Sequence, residues 1–291
     1  MKDTILPPIP RSLLFVPATS ARKVEKALTS AADGVIVDLE DAVATAEKAQ
    51  ARQFAAGFLA AAQGKTVFLR VNALSTPFCY DDLLVAAAAH IDGIVLPKAE
   101  SAADIATVDW LLHQLETRAG KQPGSIELTP ILETAKGIAA AASVASASPR
   151  IRRLAFGAVD LALDMDVDLE DDAGAINQAR FALTLASRSA GLEGPLDTVF
   201  TDIADLAGLA VSSKRARAMG FSGKACIHPA QIETVNAAFS PSEAELALAR
   251  TIVTAFDEAE AAGLAAVSVN GVMVDYPVVL KARRTLERSR A

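Results

Sequence analysis

Cysteine and histidine are scarce in this chain: 291 residues hold two of the first and three of the second. Cys79 and Cys226 lie far apart with no paired ligand spacing, which excludes a disulfide framework and a thiolate zinc site, and buried, idle thiols are expected. His90, His113 and His228 form no metal-binding helix motif. Long apolar runs are missing too. No uncharged stretch reaches the roughly 18–20 residues that a membrane span requires. The longest, from Ala261 to Val274, contains Gly263, Ser268, Asn270 and Gly271 and reads as loop and strand. Pro7, Pro8, Pro10 and Arg11 interrupt the first residues, so no secretory signal is expected and a cytoplasmic protein is. Positive charge is short as well: 28 Lys and Arg against 35 Asp and Glu leave a net charge of −7. That field disfavours nucleic acid and anionic membranes, while leaving room for a local basic pocket that holds a phosphorylated cofactor.

What the chain does have is alanine and short β-branched segments. The hydrophobic share of 52% and mean hydropathy of +0.30 owe much to alanine runs such as 86–89 and 139–142. SLLFVPA (12–18), GVIVDLE (34–40), TVFLRVN (66–72) and GIVLPKA (93–99) are too continuously apolar for half-exposed strands and read as buried parallel ones. ELTPILE (127–133), RLAFGAV (153–159), LDTVF (196–200) and GKACIHP (223–229) complete eight, with 196–200 weakened by Pro195 and Asp197. Helical patterns fall between them at 20–31, 42–63, 81–90, 101–119, 136–147, 174–190 and 203–219. Start signals include Ser20, and Ser101 with Asp104 in the capping-box position. The alternation predicts an α/β chain folded as a (β/α)8 TIM barrel, with an open doubly wound sheet as the alternative. After the eighth strand the pattern changes. A helix from Pro241-Ser242-Glu243 to about Ala262, a hairpin around Asn270-Gly271 and a basic helix from Pro277 to Arg290 predict a lid-like extension over 239–291, following a barrel over 1–238.

In a parallel barrel the reactive end is where the strands finish, and Arg70, Lys98, Glu133, Asp160 and His228 all fall there. Glu133 and Asp160, with no histidine or thiolate beside them, make a hard oxygen-only pair suited to Mg2+ or Mn2+. Each also has a plainer reading: Glu133 as a carboxylate at a helix start, with or without Lys136 beside it, and Asp160 as a helix cap. Arg70 ends an otherwise apolar strand and needs an anion, either a substrate carboxylate or thioester oxygen, or Asp38, Glu40 or Asp41 as a buried partner. Those acids fit a supporting role, holding metal waters and orienting Arg70. Lys98 reads as a surface lysine or a contact to a cofactor phosphate, and His228 as a packed histidine rather than a base. Asp275, between Val274 and Tyr276, reads equally as a turn aspartate and as an acid in an apolar lid.

RSLLFVPA (11–18), VIVDLEDAV (35–43), LRVN (69–72), GIVLPKAES (93–101), ILETAKGI (131–138), FGAVDLALD (156–164), GKACIHPAQI (223–232) and VNGVMVDYPVV (269–279) together resemble the citrate lyase beta-subunit-like family, which includes malyl-CoA and citramalyl-CoA lyases. The likeness covers nearly the whole chain. It implies the TIM barrel, a divalent metal on Glu133 and Asp160, and substrate binding by Arg70 and Glu133. It also implies a homotrimer or hexamer in which Asp275 reaches a neighbouring subunit's site to move a proton. The reaction it implies splits a 3-hydroxy-3-carboxyacyl thioester into a 2-oxo acid and an acyl thioester. Asp275, or a water held by Glu40 and Asp41, would supply the proton, and Lys98 and His228 would serve the cofactor. Two carriers stay open, coenzyme A or an acyl carrier protein with companion citrate lyase subunits, and so does hydrolysis by an acyl-CoA thioesterase.

Overall fold

The structure, a computed structural model, describes residues 9–59, 64–169 and 174–288. Eight parallel strands close into a barrel in sequence order: β1 (Ser12–Pro17), β2 (Gly34–Asp38), β3 (Thr66–Arg70), β4 (Gly93–Leu96), β5 (Glu127–Leu132), β6 (Ala155–Phe156), β7 (Leu196–Asp197) and β8 (Gly223–Cys226). β8 closes the ring on β1 through Ser12↔Lys224, Leu13↔Ala225 and Leu14↔Cys226. The expected TIM barrel is therefore the fold, and the doubly wound alternative is excluded. Pro195 precedes a seventh strand of only two residues, in keeping with its weak β pattern.

One residue from each strand, from Leu13 and Ile36 round to Leu196 and Ala225, packs in a single apolar layer inside the ring. Side chains alternate with a period of two along a strand. Two residues further on, the same face therefore presents Phe15, Asp38, Arg70, Glu133, Gly157 and Thr198. The barrel interior turns from apolar to charged within one step, at the end where the strands finish.

Several helices differ from their sequence patterns. The stretch 42–63 resolves into a 3-10 turn, Thr45–Glu47, and a helix, Lys48–Leu59; residues 60–63 lie outside the described part, as do 289 and 290 of the last helix. The stretch 136–147 breaks into Ala135–Ala139 and Ala141–Ala145. The predicted strand at 153–159 is shorter, because residues 158–165 form a helix that its apolar run disguised. A 3-10 turn, Pro229–Gln231, and a helix, Ile232–Phe239, follow β8. Ser20 and Ser101 do cap their helices, accepting from Lys23 N and Asp104 N.

The described residues divide into two compact units, Pro10–Asn236 and a second from Ala237 onward. In the second, the helix Glu243–Ala261 opens with a full capping box: Glu245 N–H donates to Ser242 Oγ at 3.2 Å, and Ser242 N–H donates to Glu245 Oε2 at 2.7 Å. β9 (Val267–Val269) and β10 (Val272–Val274) form an antiparallel hairpin turned by Asn270 and Gly271, with φ of 52° and 78°. Two successive positive φ values are what a type I′ turn demands, and Asn-Gly meets them with little strain. Phe256, Val269, Val274 and Val279 form this unit's buried core, and the helix Tyr276–Arg288 closes it. Among the described residues no helix is long and apolar enough to cross a membrane. Both cysteines are free and buried, and burial pushes each thiol up to about 12, so neither is a ready nucleophile.

Candidate active site at the C-terminal end of the barrel

Asp38, the last residue of β2, is 1% exposed and grips Arg70, the last residue of β3. Arg70 Nε donates to Asp38 Oδ1 at 2.7 Å and Nη2 to Oδ2 at 2.6 Å, the paired geometry of a guanidinium against a carboxylate. Asp38 also accepts from the main-chain N–H groups of Glu40 and Ala42, which winds the chain after β2 around it. The ring of Phe15, two strands away on β1, lies 4.8 Å from Arg70 Cζ. Of the two sequence readings of Arg70, the structure shows the buried pair. Burial works against its charge, but Asp38, with Glu40 and Asp41, outweighs that and raises the guanidinium's pKa.

The other end of the guanidinium is less occupied. Nη1 stands 2.8 Å from Glu40 Oε2 and 3.4 Å from Asp41, whose side chain is 60% exposed. Glu40 is itself buried and takes the Lys98 ammonium on Oε1 at 3.0 Å. Burial lifts its pKa, with Arg70 and Lys98 pulling against it and Asp41 adding to it. Lys48, almost fully buried, donates to the carbonyls of Leu39 and Glu40 at 2.9 Å, and Asn72 Nδ2 donates to Leu39 O at 3.0 Å. The acidic turn after β2 is thus fixed from beneath by two side chains that sequence reasoning passed over.

Glu133 follows β5 directly and is 4% exposed. It stands at a helix start, as its plainer reading has it, but without Lys136 as a partner. Thr134, not Glu133, caps the following helix, accepting from Gly137 N at 3.1 Å, and Lys136 turns to Glu100 at 3.0 Å. What Glu133 has is one main-chain donor, Lys98 N–H, at 2.8 Å on Oε1. Burial first, then the charge of Asp160, push its carboxyl up to about 8.

Asp160 does not end a strand, as its sequence context suggested; it sits in the first turn of the helix Ala158–Met165. Gly157 is that helix's N-cap, and the Ala158 N–H is taken by Thr198 Oγ1 at 3.0 Å, so the Asp160 carboxylate is not spent on capping. Its ion-pair partner is Lys98, 3.8 Å away. The same helix reaches back through Asp164, which accepts from Ala135 N at 2.7 Å and ties it to the segment that follows Glu133. Gly157 permits the approach. A Cβ there would lie 2.6 Å from the Cβ of Glu133 and closer still to its Oε2.

The cluster holds five carboxylates, Asp38, Glu40, Asp41, Glu133 and Asp160, against two cations, Arg70 and Lys98. Asp38 and Glu40 are matched by Arg70 and Lys98, so the carboxylates left over are buried Glu133, half-buried Asp160 and exposed Asp41, of which the adjacent Glu133 and Asp160 suit a further cation. Among the described residues no group of three or more His, Cys, Asp or Glu side chains is arranged to cage a metal. Glu133 and Asp160 alone suit a hard divalent ion that keeps most of its coordination for water and substrate oxygens. His228 is not brought into the cluster. It caps the turn Pro229–Gln231, its Nδ1 accepting from Ala230 N at 3.2 Å, and is exposed. Asp275 belongs to the second unit, where it precedes the helix Tyr276–Arg288; its Oδ1 accepts from Val278 N at 3.4 Å and its carbonyl from Val279 N at 3.0 Å.

The model of the HpcH/HpaI aldolase/citrate lyase family matches residues 11–229, and a model of carbon–carbon bond lyases of the TIM-barrel fold matches 185–291. Citrate lyase subunit beta of Leuconostoc mesenteroides subsp. cremoris is 35% identical over 97% of this chain and 93% of its own. A (3S)-malyl-CoA thioesterase of Cereibacter sphaeroides is 38% identical over 97% of this chain and 95% of its own. Among solved structures, CitE of Mycobacterium tuberculosis in complex with magnesium, acetoacetate and coenzyme A is similar with a TM-score of 0.79 and 33% identity, over 97% of this chain and 98% of that one.

Proposed function

The chain belongs to the HpcH/HpaI aldolase/citrate lyase family, and from that premise we propose that it is a Mg2+-dependent lyase which cleaves, or forms by Claisen condensation, a 3-hydroxy-3-carboxyacyl thioester. The products of cleavage are a 2-oxo acid and an acyl thioester. The observation that carries this reading is Glu133: a buried carboxylate with, among the described residues, a single main-chain donor and no cationic side chain in an ion pair with it, beside a second carboxylate, Asp160, whose charge it feels. Two relatives support the cofactor and substrate class, since one is a malyl-CoA enzyme and another was solved with magnesium and coenzyme A.

Glu133 and Asp160 would hold the metal, Mg2+ or in its place Mn2+. When bound, it supplies Lewis acidity to the oxygens of the 2-oxo acid half. Everything else falls to the chain itself. Asp38 keeps the rear edge of the Arg70 guanidinium occupied and so aims Nη1 forward, where the long 3.4 Å contact to exposed Asp41 is the one a substrate carboxylate or thioester oxygen would replace. As the carbon–carbon bond breaks, its electron pair passes to the carbon alpha to the thioester carbonyl and spreads onto that carbonyl oxygen as an enolate; the hydroxyl gives its proton to a base as it becomes the keto oxygen, and the enolate carbon takes up a proton to give the acyl thioester. Glu40, lifted in pKa by burial, would hold a proton-carrying water with Asp41. Asp275 is the second proton carrier of this reading.

Purified protein incubated with Mg2+ and a panel of 3-hydroxy-dicarboxylic acyl-CoAs, followed by mass spectrometry of both product classes, tests this. Release of a 2-oxo acid with acetyl- or propionyl-CoA is expected. The thioesterase relative favours a second reading, hydrolysis, which instead yields free CoA and the intact hydroxy acid. Turnover only with acyl carrier protein and companion subunits would place the chain with the citrate lyase beta relatives.

A further inference from the structure

Lys98 is the residue on which the cluster converges, and its backbone is unusual. Its φ is 50°, in the left-handed region that a lysine enters only when its surroundings impose it. That conformation sends its two polar groups to different carboxylates. The main-chain N–H goes to Glu133 Oε1 at 2.8 Å, while the ammonium goes to Glu40 Oε1 at 3.0 Å and faces Asp160 Oδ1 at 3.8 Å. Among the described residues no other cationic side chain forms an ion pair with Asp160, and none does with Glu133. The two carboxylates assigned to the metal thus differ: Glu133 receives a neutral donor, and Asp160 a full positive charge.

Resting on the metal reading above, we propose that Lys98 is a positioning residue that holds the affinity for the divalent ion down, so that the ion is held firmly only once substrate oxygens complete its coordination. The main-chain bond occupies Glu133 Oε1 and leaves Oε2, packed on Gly157, as that residue's free oxygen. The ammonium competes with the ion for Asp160 and opposes it as a like charge. It also removes much of the attraction that Glu40 would add. Without Lys98 the carboxylate excess would trap the ion before substrate arrives. With it, metal and substrate bind with positive coupling, because each supplies what the other lacks.

Titration calorimetry with Mg2+ alone tests this on the full chain. Lys98→Met, which keeps the backbone donor and removes the charge, should bind Mg2+ about tenfold more tightly or better, and Lys98→Arg should return toward wild type. A gain in affinity is not something a damaged fold produces. Equal or weaker binding by Lys98→Met overturns the proposal. The pair Glu133→Gln with Asp160→Asn is the control: loss of Mg2+ binding supports the metal site itself, and undiminished binding by that pair overturns the metal reading, an outcome separate from any result with Lys98 variants.

Discussion

Glu133 and Gly157 lie so close that no side chain fits between them: a Cβ on Gly157 would meet the Cβ of Glu133 at 2.6 Å. Gly157 also caps the helix that carries Asp160, so one residue sets both carboxylates against each other. Its φ of −112° is open to any residue, and glycine is needed there for space rather than for backbone freedom.

Gly157→Ala should therefore displace the Glu133 carboxylate and leave the barrel folded. Misplacing a catalytic group by about 1 Å costs on the order of a hundredfold, and a loss of that order in kcat/KM with weaker Mg2+ binding is expected. Circular dichroism and calorimetry on the same sample check it. Wild-type Mg2+ affinity in this variant would show that the site tolerates the shift.

Arg70 and Asp38 should behave as one unit. Arg70→Lys keeps the charge and loses the two-pronged grip, while Asp38→Asn keeps the shape and loses the anion. Each should lower kcat/KM by about 10²–10³-fold, and the double variant should cost little more than either alone. Additive losses in a double-mutant cycle would mean that Asp38 does not act through Arg70.

The eight strands were readable because parallel strands buried on both faces are continuously apolar. The acids and Arg70 were readable because charge at the end of such a run is costly without a purpose. Other parts of the site left no such mark. AFGAVDLAL reads as strand until Gly157 divides it into a two-residue strand and a helix, and only then does Asp160 move from a strand end to a helix turn. The positive φ of Lys98 has no signature in its side chain, and its bond to Glu133 is made by the main chain, to which sequence is blind. Lys48 and Asn72 look like ordinary surface residues until the turn after β2 folds over them.

Metal binding should depend on pH in a direction set by Glu133. Its carboxyl is pushed up to about 8 in the folded chain from an ordinary 4.5, so the metal-free protein loses stability as pH rises between those values and no further above them. Mg2+ needs the ionised form, and the proton competes with it below about pH 8. The rise in Tm on adding Mg2+ should thus be larger near pH 8.5 than near pH 6. Glu133→Gln should abolish the difference. A pH-independent Mg2+ effect in the wild type would remove Glu133 from the ligand set.

Asp197 tests the opposite sign. It is buried between Lys224 at 2.5 Å and Arg180 at 3.0 Å, and although burial raises its pKa, these two cations hold it below the ordinary carboxylate value of 3.8. Its contribution is present above that value and is lost as pH falls through the lower folded one. Asp197→Asn strands the fully buried Lys224 and should cost about 3–5 kcal/mol. The Tm difference from wild type should stay level over about pH 5–8 and close only in acid. A gap that changes across neutral pH would mean that the pair is not the source.

Asp275 has two tasks to separate, because its carboxylate caps the helix Tyr276–Arg288 and is also the proposed proton carrier. Asparagine caps about as well as aspartate, whereas alanine does not. Asp275→Asn should therefore melt like the wild type, while Asp275→Ala loses about 1 kcal/mol of cap stabilisation. Neither variant carries a proton-transferring carboxylate, so both should retain substrate binding and slow the chemical step by about 10²–10⁴-fold. Single-turnover kinetics with the acyl-CoA that the product screen identifies, run beside thermal melts, resolves the two. Wild-type chemistry in Asp275→Asn with a lowered Tm in Asp275→Ala would leave the residue a helix cap and pass the proton to the water held by Glu40 and Asp41.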